Sequence, residues 1–67
     1  MKAIINFQGD HQNVVFTDGS TVGDLLRSID INPANVTVTA GDAKVSADQE
    51  ALNEVTYVVE QATGKVG

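Results

Sequence analysis

The stretch Ser20-Thr21-Val22-Gly23-Asp24-Leu25-Leu26-Arg27-Ser28-Ile29 limits what this chain can fold into more than any other. Val22, Leu25, Leu26 and Ile29 recur at i, i+3, i+4 and i+7, a spacing that lines one side of an α-helix. Thr21 and Asp24 form a variant capping box: the hydroxyl accepts from a free N–H of the first turn, and the carboxylate suits the positive end of the helix dipole. The spacing predicts an end near Asp30, because Asn32-Pro33 disfavours helical backbone before the ring and the ring has no N–H. A helix of about nine residues is not stable alone in water. Its apolar stripe must lie against something, and the rest of the chain reads as strands.

Lys2-Ala3-Ile4-Ile5-Asn6-Phe7 is a β-prone run, bounded by loop chemistry at Gln8-Gly9-Asp10-His11. Asn13-Val14-Val15-Phe16-Thr17 follows as the second arm of an antiparallel hairpin, and Thr17-Asp18-Gly19-Ser20 turns the chain into the helix. Val36-Thr37-Val38-Thr39-Ala40 alternates apolar and hydroxyl side chains, the pattern of a strand with one face buried. Gly41-Asp42 breaks it, and Ala43-Lys44-Val45-Ser46 reads as a brief edge strand with Lys44 toward water. Asp48-Gln49-Glu50-Ala51-Leu52 reads as one helical turn with Leu52 dropping inward. Val55-Thr56-Tyr57-Val58-Val59-Glu60 is nearly all β-forming, which suggests a central strand. Residues 61–67 read as a flexible tail behind a single domain over 1–60. The expected fold is α+β: a mixed four- to five-stranded sheet with one helix across it, burying Ile5, Phe7, Val15, Val36, Val38, Tyr57 and Val59. The connection through the helix is long enough for the first and last strands to pair in parallel.

At 67 residues the chain is one domain, and a domain of this size buries only about 60% of its unfolded surface. With no cysteine, disulfides, thiolate metal sites and thiol catalysis are excluded. Nine acids against four bases give a net charge of −5, the wrong sign for nucleic acid, where clustered Lys and Arg supply the free energy. The apolar run after Met1 is too brief for a signal peptide or a membrane span, so a cytoplasmic location is expected. His11 is the sole imidazole, and Asp10-His11 offers two metal ligands where zinc needs three or four. Ser20, Ser28 or Ser46 would need His11 brought to them, and nothing local marks a nucleophile. Gly64-Lys65 lacks both the earlier glycine and the following Ser or Thr of a phosphate-binding loop. No enzyme activity, metal or cofactor is expected.

The order strand, strand, helix, strand, short strand, strand is that of the β-grasp or ubiquitin-like arrangement. Within it the chain resembles the small sulfur carriers of thiamin and molybdopterin synthesis. The resemblance rests on Met1-Lys2-Ala3-Ile4-Ile5-Asn6, on Asp18-Gly19-Ser20-Thr21-Val22-Gly23-Asp24-Leu25-Leu26, and on Val36-Thr37-Val38 ahead of Gly41-Asp42, Lys44-Val45 and the Val55–Val59 strand. It implies that the functional group is a C-terminal glycine carboxylate, here Gly67, activated by an ATP-dependent adenylating enzyme and then loaded with sulfur. Val66 stands where the family carries the first of two terminal glycines, and a β-branched residue suits a narrow channel poorly. The expected function is therefore a monomeric, non-catalytic β-grasp module that binds another protein through an exposed sheet face or an edge strand. A carrier or ubiquitin-like modifier activated at Gly67 is the alternative.

Overall fold

The computed structural model describes residues 1–62. It is an α+β structure in which five strands form one mixed sheet and a single α-helix covers one face. The strands are β1 (Lys2–Phe7), β2 (Asp10–Val15), β3 (Val36–Ala40), β4 (Ala43–Val45) and β5 (Thr56–Gln61), and the helix is α1 (Val22–Ser28). Across the sheet the order is β2-β1-β5-β3-β4. β1 runs parallel to β5, while the β1–β2, β3–β5 and β3–β4 pairs are antiparallel. The last strand is thus central, as its composition predicts, and the arrangement is compatible with the expected β-grasp order.

The start of α1 forms from local sequence. The Asp24 N–H donates to the Thr21 hydroxyl at 3.2 Å and the Thr21 N–H to Asp24 Oδ2 at 3.0 Å, which closes the capping box. The end falls where expected, near Asp30: α1 stops at Ser28 with its C-cap at Ile29, ahead of Asn32-Pro33. Asp30 adopts a left-handed conformation with φ +65, its N–H bonds the Arg27 carbonyl, and the Ile31 N–H bonds the Leu26 carbonyl. That pair of bonds is a Schellman closure, with aspartate in the position glycine usually fills. Val22, Leu25 and Leu26 are buried against the sheet and Ile29 is half-buried. Burying each of these branched side chains contributes about 1.5–3 kcal/mol.

The first hairpin is tighter than its loop chemistry suggests. Phe7 pairs with Asp10, so the connection is only Gln8-Gly9, and both residues have positive φ, 55 and 86. This is the backbone of a type I′ turn, whose twist matches that of the flanking strands. Asp10 and His11 consequently belong to β2 rather than to a loop. The same register places Val14 opposite Ala3 and Val15 opposite Lys2. Val14 is buried and Val15 is 81% exposed, which reverses the expectation that Val15 faces the core. A one-residue change of phase along a strand exchanges its faces.

Residues 46–51 form no helical turn. Ser46–Gln49 make a tight turn, closed by the Gln49 N–H on the Ser46 carbonyl at 3.0 Å, and the segment lies against the start of α1 as its N-terminal partner. The Val22 N–H donates to the Gln49 carbonyl at 2.9 Å, Gly23 to Ala47 at 3.0 Å, and Ala51 donates to Ser20 at 2.8 Å. These bonds, with the capping box, satisfy the N–H groups that a helix start leaves free. Ala51 is the residue that drops inward, at 2% exposure, while Leu52 stays out at 59%. The core gathers Ala3, Ile5, Val14, Phe16, Val38, Ala51, Tyr57 and Val59 beneath α1. Tyr57 is buried, and its hydroxyl accepts the Leu52 N–H at 2.9 Å. Gln61, expected in the tail, is the last residue of β5 and pairs with Val36, and the Ala62 N–H donates to the Asn35 carbonyl.

Candidate functional site

Strand registers assign every strand side chain to one of two faces. Opposite the helix, one transverse row runs His11, Asn6, Val58, Thr39, Lys44 and crosses all five strands. A second row is Asn13, Ile4, Thr56, a third is Val15 with Lys2, and Thr37 pairs with Glu60 beyond them. None of these side chains is buried, and among the described residues no element lies over them. The open face therefore combines apolar patches at Ile4, Val15 and Val58 with hydroxyl and amide groups suited to hydrogen bonding.

Its charge departs from that of the molecule. Lys2 and Lys44 stand on this face with Glu60 as the single acid at a strand position there. Of the other acids, Glu54 borders the face in a depression it shares with Lys2, Ile4 and Asn13, Asp10 is at the hairpin turn on the helix side, Asp24 and Asp30 are on α1 and its end, and Asp18, Asp42, Asp48 and Glu50 are in connections. Arg27, the remaining base among the described residues, is engaged on α1 with Asp24 at 3.2 Å. On an acidic protein this face is close to charge-balanced, with Lys2 and Lys44 against Glu60 and the bordering Glu54.

The Asp24 carboxyl is held below its ordinary range. The Thr21 backbone N–H donating to it is the main cause, slight desolvation opposes this, and the Thr21 hydroxyl and Arg27 guanidinium add to the lowering. All of these act at the helix start, so the shift serves the cap.

The residues considered for chemistry stay apart. His11 sits exposed on the open face, whereas Ser28 is on α1 across the sheet with its hydroxyl donated to the Leu25 carbonyl. Among the described residues no three of His, Cys, Asp and Glu gather as metal ligands. An open depression of about 410 Å³ lies where β5 runs past the first hairpin, lined by Asn6, Gln8, Gly9, Val58 and Glu60. It offers amides and one carboxylate and no nucleophile. Gly67, the residue for activation in the carrier reading, lies outside the described residues. Tyr57, whose hydroxyl is taken up inside, is no surface anchor. The open-face residues were hidden in the sequence because their grouping needs the register of four strand pairs. The alternation in Val36–Ala40 was the one local signal, correctly marking Thr37 and Thr39 as the wetter side.

Fold and face together define a small α+β protein with one sheet surface covered by the helix and the other, among the described residues, uncovered. No protein-family model matches the chain, and no curated protein matches it.

Proposed function

We propose that this chain is a small, non-catalytic β-grasp protein of the cytoplasm that works by presenting its open sheet face to another protein. The β-grasp assignment is supported by a helix over one face of a mixed sheet and by the parallel pairing of β1 with a central β5. The observation that carries the function is the open face itself, where Ile4 and Val58 lie between Lys2 and Lys44 and only Glu60 and, at the margin, Glu54 bring negative charge. Such a surface suits a partner with apolar side chains and an acidic rim, since complementary charge speeds encounter and excludes wrong partners. It does not suit nucleic acid, which demands a dense basic cluster. No helix among the described residues is long and apolar enough to cross a membrane.

A carrier activated at Gly67 by an ATP-dependent adenylating enzyme is the second reading. It is supported by the anchoring of the last strand: Gln61 pairs with Val36 and Ala62 bonds Asn35, so the chain enters residues 63–67 from a fixed point. One affinity-capture experiment from the source cell separates the two. The module reading predicts that Ile4→Asp/Lys44→Glu loses a partner that the wild type and a Gly67 deletion both recover. The carrier reading predicts the loss with the Gly67 deletion.

A further inference from the structure

The two edges of the sheet are built differently. β4 is three residues long and carries Lys44 at its centre, both devices that discourage pairing with another chain. β2 is six residues long with no proline, lysine or bulge, and among the described residues nothing covers its outer side. Which of its peptide groups are free follows from the hairpin. Phe7 and Asp10 close a two-residue turn and exchange both hydrogen bonds, so Gln12 and Val14 also bond β1. Two contacts confirm this phase: the Phe16 N–H donates to Met1, and the Ile4 N–H turns the other way to Val55. The N–H and C=O groups of His11, Asn13 and Val15 therefore point outward along an unprotected edge.

The geometry points to a second copy of this chain as the occupant of that edge, with β2 pairing antiparallel to β2 about a two-fold axis at Asn13. In this register Asn13 pairs with its own copy and His11 with Val15 of the second copy, and the reverse, so every outward peptide group finds a partner. The register is also free of charge conflict. Asp10, the only acid in β2, falls opposite Phe16 of the second copy and not opposite another carboxylate. Val15, 81% exposed in the single chain, gains a neighbour on the open face. The two sheets become one, with both open faces on the same side. This inference does not rest on the proposed function, and it replaces the expectation of a monomer.

The test is the solution mass of the whole chain across a concentration series, by sedimentation or light scattering. The result expected is a concentration-dependent doubling of 7.0 kDa. Asn13→Pro should abolish the doubling with an unchanged far-UV spectrum, because the Asn13 N–H serves no bond among the described residues and proline is tolerated on an edge. Val15→Lys provides a second route should the proline variant fail to fold, and it too should be monomeric. A wild-type mass of 7.0 kDa up to millimolar concentration overturns the inference. So does a dimer that persists in a folded Asn13→Pro or Val15→Lys variant.

Discussion

The two faces of the sheet are made from the same five strands and differ in almost every physical respect. On the helix side Ala3, Ile5, Val14, Val38, Tyr57 and Val59 are all at most 5% exposed, and every one touches a shared core. On the other side the same strands show Ile4, Asn13, Val15, Thr56 and Lys44, none of them buried. One face holds the fold together, and the other is left free of that duty. The difference teaches that stability and recognition can be changed separately here, residue by residue along a single strand.

Core truncation should test that separation most severely. Leu26→Ala on α1 should destabilise by about 2–5 kcal/mol, the usual cost of removing a buried leucine, which in a domain this small leaves little native protein. Urea denaturation gives the value, and a loss under 1 kcal/mol would mean the covered face is not packed as described. Next comes Tyr57→Phe, which leaves the Leu52 N–H without its partner and should cost about 1–2 kcal/mol on the same assay. Thr21→Ala removes the hydroxyl that caps α1, for about 1 kcal/mol.

The Asp24 cap also sets a pH dependence. Its carboxyl is lowered from an ordinary value of 3.8, so the stability it contributes is fully present above that value and is lost as pH falls through the lowered one. Acid titration of Asp24→Asn should show that part of the slope missing below pH 3.8 and the curves parallel above it. The smallest effect belongs to the open face: Val15→Thr should change stability by less than about 0.5 kcal/mol. A larger loss there would erase the contrast between the faces.

What could be read directly from the sequence was whatever is determined by near neighbours. The Thr21–Asp24 capping box, β1 over Lys2–Phe7 and β3 over Val36–Ala40 stand where local chemistry puts them. What could not be read depended on distant partners or on uncommon residues in special conformations. Gln8 and Asp30 take positive φ without being glycine, so neither the tight hairpin nor the left-handed closure of the helix was signalled, although the place of the helix end was. Residues 46–51 resemble a helical turn in composition and do turn once at Ser46–Gln49, but the Ala47 and Gln49 carbonyls are taken by the N–H groups of Gly23 and Val22, a contact only the folded chain makes. In Val14-Val15-Phe16 three apolar residues in a row conceal which one faces out, and the phase comes from a turn four residues before Val14. The candidate face inherits that dependence, since its members come together only once all registers are set.

We propose that the open face is where this protein meets its partner. The most direct test follows the backbone amide resonances of isotopically labelled chain in an extract of its source cell. The amides of Ile4, Asn6, Thr39 and Val58 should shift or broaden most, while those of Leu25 and Leu26 change least. Perturbation centred on α1, or a spectrum unchanged by the extract, would contradict it.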